Sequence, residues 1–212
     1  MKLESLAPSD QPDGPLTARF DTGDTLKVPP FVAADCGLYP GRELSEEDMS
    51  ALRAAISKAR TRQRAVRILS QTAISRAALT ERLREKGAAP ADAQETVQWL
   101  DDLHLLDDAA TAAQLVQSAV RKGYGRRRIE QILYEKKIPR EYWPEALEAV
   151  PPMDDAIDRF LRQKLAGREA DEKTVKRAVD ALLRRGHNWS DIRAALARFR
   201  ADLEISEPED IL

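Results

Sequence analysis

The sequence predicts an all-α protein of tandem three-helix repeats, preceded by a small N-terminal β-hairpin extension. Three observations carry this. Apolar residues recur at three- and four-residue intervals from Ser45 to about residue 200, the spacing of helices. One block of that pattern returns three times at a period near 50 residues. Ala, Leu, Arg and Glu dominate while aromatics make up only 5% of the chain, and the dominant residues lose little side-chain freedom in a helix.

Residues 1–15 hold three prolines and no periodicity, which predicts a flexible leader. Leu16, Ala18 and Phe20 then alternate with polar residues, Asp21-Thr22-Gly23-Asp24 supplies a turn, and Leu26 and Val28 alternate again. That is a hairpin pattern, stopped by Pro29-Pro30. Phe31 to Leu38 has room for a short helical turn before the break at Tyr39-Pro40-Gly41. Ser45 with Asp48 three residues later reads as a capping box opening a long helix, whose apolar stripe is Met49, Leu52, Ile56, Ala59 and Val66.

The repeat aligns Leu79, Leu83 and Lys86-Gly87 with Ile129, Leu133 and Lys136-Lys137, and with Ala178, Leu182 and Arg185-Gly186. Beyond each marker the next helix stays in register: Val97, Leu147 and Leu196 align, as do Leu100, Val150 and Phe199. The expected divisions are a leader over 1–15, the hairpin extension over 16–44, repeats over 45–105, 106–150 and 151–200, and an acidic tail over 201–212. Pro90, Pro139 and Asn188-Trp189-Ser190 mark the second turn of each repeat, and residues 166–173 form an insertion in the third.

The net charge of −2 conceals an asymmetry. Residues 1–50 hold 4 basic and 10 acidic side chains, residues 51–200 hold 30 and 21, and residues 201–212 hold none and 5. A cationic body between anionic ends suits an anionic partner. Enzymatic chemistry finds little support. His104 and His187 stand apart without a ligand pattern, and no phosphate-binding loop or nucleophile elbow is present. Asp101-Asp102 and Asp107-Asp108 read as helix starts. No metal or cofactor is expected. Cys36 stands alone, so no intrachain disulfide forms, and no apolar run is long enough for a membrane helix. A cytoplasmic monomer is the expectation.

Gly123-Tyr124-Gly125-Arg126-Arg127-Arg128-Ile129 places three arginines at a helix start, where cations oppose the dipole. With Ile129 and Leu133 facing the core, Arg127 points outward, Arg128 lies on a flank and Arg126 near the core edge. Arg53, Arg60, Arg64 and Arg67 form a second stripe, within about 60° of one another on the first long helix. Lys136, Lys137, Arg184 and Arg185 close the middle helices of their repeats, where basic residues suit the dipole and are as readily structural as functional.

These stretches resemble the RecX family, regulators of the RecA recombinase. Ala65-Val66-Arg67-Ile68-Leu69-Ser70 and Ser75 to Gly87 resemble its first repeat. Leu106-Asp107-Asp108 with Ala112, and Gly125 to Leu133 with Lys136, Lys137 and Ile138, resemble its second. Arg184-Arg185-Gly186 resembles its third. Thr111 and His187 stand where the family usually has aromatics, and Lys137 where it usually has glycine. The resemblance implies an elongated, curved bundle of repeats that binds the RecA–single-stranded-DNA filament. It further implies inhibition of filament growth, strand exchange and coprotease activity, and weak binding to single- and double-stranded DNA. A helix-turn-helix DNA regulator and a protein-only adaptor are the alternatives.

The alignment puts Leu83, Leu133 and Leu182 at one buried position. Replacing any of them by Ala is expected to cost about 2–5 kcal/mol in denaturant unfolding. Losses below about 0.5 kcal/mol at two of the three sites would show the register to be wrong.

Overall fold

Alternating apolar positions draw the first residues into a sheet. The computed structural model describes residues 1–9, 14–165 and 172–206. Strands β1 (Leu3–Ala7), β2 (Leu16–Phe20) and β3 (Thr25–Val28) pair antiparallel in that order. The expected two-stranded hairpin is therefore three-stranded, and the expected leader over 1–15 contains β1. Leu3 and Leu6 are three residues apart, so strict alternation hides the strand. A register shift between Leu3 and Ser5 sets Leu3 opposite Phe20 and Leu6 opposite Ala18. Backbone bonds tie this end down: the Met1 ammonium donates to the Leu44 carbonyl (3.1 Å) and Leu44 N–H to that of Met1 (2.7 Å). Leu3, Ala18, Phe20 and Val28 are buried with Val32 and Ala33 of α1 (Pro30–Asp35).

Ser45 caps α2 (Glu46–Leu69) as the sequence predicts. Its Oγ accepts the Asp48 N–H (3.0 Å) and the Asp48 carboxylate accepts the Ser45 N–H (2.9 Å). The hydroxyl and amide of Ser45 hold the Asp48 carboxyl below its ordinary pKa, and Arg42 adds to this against some desolvation. Met49, Leu52, Ile56 and Ala59 are buried, but Val66 is 47% exposed. The seam of this 24-residue helix passes instead through Ala65 and Ile68.

The remaining helices are α3 (Arg76–Glu85), α4 (Pro90–Asp102), α5 (Asp108–Arg121), α6 (Arg126–Glu135), α7 (Trp143–Glu148), α8 (Asp154–Leu165), α9 (Glu172–Arg184) and α10 (Trp189–Ser206). A 3-10 turn over Arg140–Tyr142 leads into α7. Contacts divide the chain into two compact units, Met1–Ala73 with Leu79–Leu105, and Ile74–Ala78 with Leu106–Leu212. In the first, α1, α2 and the sheet share a core and α2 packs on α4. In the second, Ala112, Val116, Ile129, Leu133 and Leu147 join α5, α6 and α7, while Ile157, Leu161, Leu182 and Ile192 join α8, α9 and α10. Leu83, Leu133 and Leu182 are all fully buried. Asp107 caps α5 through the Ala110 N–H (2.8 Å). Asp101 and Asp102, by contrast, end α4 rather than open a helix. Of the insertion expected over 166–173, residues 166–171 lie outside the described residues and Glu172 opens α9. Helix α10 runs to Ser206, into the expected acidic tail, and 207–212 lie outside the described residues.

The second unit is organised by a contact that recurs with the repeat. Gly125 is the N-cap of α6. Its N–H donates to the Arg185 carbonyl (2.8 Å), and the Arg127 N–H donates to that of Gly186 (3.3 Å). A Cβ on Gly125 would fall 2.4 Å from the Gly186 carbonyl, and one on Gly186 would fall 2.3 Å from the Arg128 nitrogen. Two side chains reach back from the same turn. Arg185 Nη1 donates to the Lys122 carbonyl (3.1 Å), and His187 Nε2 lies 3.0 Å from the Gly123 carbonyl. Fifty residues before Gly125, Ser75 stands at the start of α3. Its hydroxyl accepts the Ala78 N–H, and its one proton is shared between the Lys136 and Lys137 carbonyls (2.8 and 3.1 Å). In both places the start of one middle helix meets the turn that closes the next repeat's middle helix.

That turn has a left-handed residue in each copy: Gly87 (φ 85°), Lys137 (φ 55°) and Gly186 (φ 84°). Only Lys137 carries a Cβ there, which costs about 1–2 kcal/mol. Lys137→Gly is expected to raise the melting temperature by about 2–4 °C. A drop would show that the Lys137 side chain stabilises the turn more than its backbone conformation costs. Burial pushes the His187 imidazole below its ordinary pKa, and the Arg185 charge adds to this against the Gly123 carbonyl and Asp191. The folded state then binds fewer protons than the unfolded, so this stabilising contribution is complete above about pH 6.5 and declines as pH falls below it. Melting temperature is expected to fall between about pH 7.5 and 5.5, and His187→Phe to flatten that part of the profile.

Candidate functional site

Among the described residues no group of three or more His, Cys, Asp or Glu could hold a metal ion. No helix there is long and apolar enough to cross a membrane. Cys36 is half-buried at the end of α1, and its carbonyl accepts the Arg42 guanidinium. The candidate site is therefore built from basic side chains.

In the second unit, α6 starts with Arg126, Arg127 and Arg128. The structure corrects the expected orientation of Arg126, whose side chain is 62% exposed rather than near the core edge. The core is met instead by Gly125, one residue earlier, because the Gly186 turn comes so close there. Arg126 Nε pairs with Glu130 (3.1 Å), one helical turn on, and Arg128 Nη1 pairs with Glu135 (3.3 Å). The Arg127 side chain is exposed and has no hydrogen bond or ion pair among the described residues. The carbonyls of Arg185 and Gly186 lie against the helix start, so they also offset the positive end of the dipole that these arginines oppose.

The basic residues that close the middle helices divide into two kinds. Arg184 is exposed at the end of α9. Arg185 is held: its guanidinium lies 4.9 Å from the centre of the Phe160 ring and donates to the Lys122 carbonyl. Lys136 and Lys137 are exposed side chains on a turn whose carbonyls accept Ser75. Sequence reasoning treated all four as one class. The pairing of Arg185 with Phe160, 25 residues away on another helix, left no local signal.

In the first unit, Arg53, Arg60 and Arg64 line a cleft of about 330 Å³ together with Lys86 at the end of α3. Arg60 Nη2 donates to the Lys27 carbonyl (3.0 Å) and Arg64 Nη1 to that of Lys86 (2.7 Å). These bonds fix two guanidinium groups and leave them N–H donors for a ligand. Arg67, expected in the same stripe, is exposed outside the cleft. Lys86 was not predicted as a site residue, since only the turn after α3 brings it to α2. Also missed was Asp108. It is 2% exposed, accepts the Arg76 N–H (3.0 Å) and pairs with Arg76 Nη1 (3.3 Å), so it fixes the start of α3.

A family model described as RecX, second three-helix domain, matches residues 107–147. That span contains α5, α6, the three arginines and all but the last residue of α7. The regulatory protein RecX of Cronobacter sakazakii is 31% identical over 120 residues, covering 54% of this chain and 71% of the relative. That of Chromohalobacter salexigens is 31% identical over 146 residues, covering 66% and 93%. A crystal structure of regulatory protein RecX superposes with a TM-score of 0.62 at 20% identity, covering 91% of this chain and 98% of that one. With most of the length of both relatives matched at this identity, and with the same fold, the chain belongs to the RecX family of regulatory proteins.

Proposed function

We propose that this protein binds a RecA–single-stranded-DNA filament and restrains its growth, strand exchange and coprotease activity. The observation that carries the reading is the start of α6. An exposed Arg127 side chain, unpaired among the described residues, stands between two arginines paired with Glu130 and Glu135, on a helix start where the Gly125 and Arg127 N–H groups are bonded to the Arg185 and Gly186 carbonyls. A guanidinium with no internal partner keeps all of its N–H donors for a phosphate or carboxylate. A nucleoprotein filament offers both chemistries along its length. Arg126, Arg128 and Arg184 are the neighbouring contacts. The Arg53, Arg60, Arg64 and Lys86 cleft, with Arg67 beside it, is a second place for phosphates of single-stranded DNA, and more weakly of duplex. Lys136 and Lys137 reach outward from their turn as further contacts. Arg185, stacked on Phe160, takes a supporting place. The partner puts the protein in the cytoplasm, and one chain carries every residue the reading needs.

Arg127→Glu is expected to leave the melting temperature unchanged, because the side chain makes no internal bond. It should weaken inhibition of RecA ATP turnover on single-stranded DNA by about tenfold and make the remaining inhibition less sensitive to salt. A variant that folds like wild type and inhibits equally well at matched salt would overturn the reading.

A further inference from the structure

A groove of about 560 Å³ opens beside the sheet of the first unit. Phe31 of α1, Val66 of α2 and Trp99 of α4 supply its apolar walls. Phe31 is 59% exposed and Val66 is 47% exposed, although the residues next to each, Val32 and Ala65, are buried. The first unit thus fills its core and still leaves two large apolar side chains facing the same hollow. An exposed apolar surface of this kind marks a contact site.

The rim is cationic. Lys27, Arg60 and Arg62 line the groove, and among the described residues no carboxylate does. Lys27 Nζ donates to the Thr17 hydroxyl (2.8 Å) and Arg60 to the Lys27 carbonyl, so their partners are uncharged. Arg62 lies 4.8 Å from the centre of the Trp99 ring, and its buried Nε has no hydrogen-bond partner. Its other contact, Glu95, is 3.8 Å away and is engaged more closely by Lys58. Among the described residues the groove therefore combines apolar walls with more positive charge than its surroundings balance.

We propose that this groove docks an acidic peptide segment of a partner protein, with a bulky apolar side chain seated between Phe31 and Val66 and carboxylates meeting Lys27, Arg60 and Arg62. A guanidinium held over an indole keeps N–H donors for a carboxylate. The same stacking disfavours a nucleic-acid strand, because Arg62 already covers the Trp99 ring and only Phe31 remains for a base. The proposal shares only Arg60 with the filament reading, and its test varies Phe31 and Val66, which that reading does not use.

The test uses the full chain and a fluorescein-labelled probe peptide, Glu-Asp-Leu-Glu-Phe-Asp-Glu-Leu, followed by anisotropy. Two control peptides replace its apolar residues by Ser or its acidic residues by Gln and Asn. The probe is expected to bind, and each control to bind at least about tenfold more weakly. Phe31→Ser and Val66→Asp should each weaken the probe about tenfold with unchanged thermal melting, since both side chains are exposed. Added salt should weaken binding of the probe. The proposal is overturned if the wild type does not bind the probe, if the Ser control binds equally, or if both variants keep full affinity. Displacement of the probe by a short oligothymidylate in a Phe31-dependent manner would overturn it in favour of nucleic acid.

Discussion

Two backbones touching where no side chain fits hold the second and third repeats together. Gly125 and Gly186 approach so closely that a Cβ on either would overlap main-chain atoms of the other segment. This contact lets the carbonyls of Arg185 and Gly186 accept N–H groups at the start of α6, which has no side-chain cap. It also buries His187 and brings Arg185 onto Phe160 and Lys122. Nearby helix geometry, one titratable group and the direction of several cations all follow from one close approach.

The same contact sorts the basic residues. A charge near the joint is either drawn in, as Arg185 is, or turned outward, as Arg126 and Arg127 are. Glu130 and Glu135 steady the outer pair of the three arginines and leave the middle one unopposed. In the first unit a comparable division arises on α2. Arg60 and Arg64 are anchored by carbonyls of other segments, while Arg62 lies on Trp99. A long helix with arginines every few residues thus serves two different hollows from adjacent faces.

Much of this was legible in the residues themselves. The Ser45–Asp48 box, the equivalence of Leu83, Leu133 and Leu182, and the mostly helical character from Ser45 onward all follow from spacing. β1 was not legible, because a bulge moves Leu3 out of strict alternation with Leu6. Val66 continued the apolar period in sequence, yet Ala65 and Ile68 carry the buried seam at that end of α2. Asp101 and Asp102 looked like a helix start because Asp favours that position, and nothing local shows that α4 extends through them. At the candidate site the sequence supplied the cations but not their partners. Gly186 was visible as a repeat marker and Gly125 as the residue before the three arginines, but the purpose of each depends on a segment 61 residues away.

The two joints have unlike halves. One side presents a helix start that gives hydrogen-bond donors, and the other presents a left-handed turn that gives carbonyls. Each repeat therefore couples in one direction only, as a plug does to a socket, and a tandem duplication of about 50 residues would arrive carrying both halves. An ancestral gene could lengthen by copying such a segment without first inventing a new interface. A residue with a Cβ fits in the socket only where the neighbouring plug leaves room. Lys137 is that case: its turn is met by the small hydroxyl of Ser75, whereas Gly186 is met by the backbone at Gly125 and Arg128.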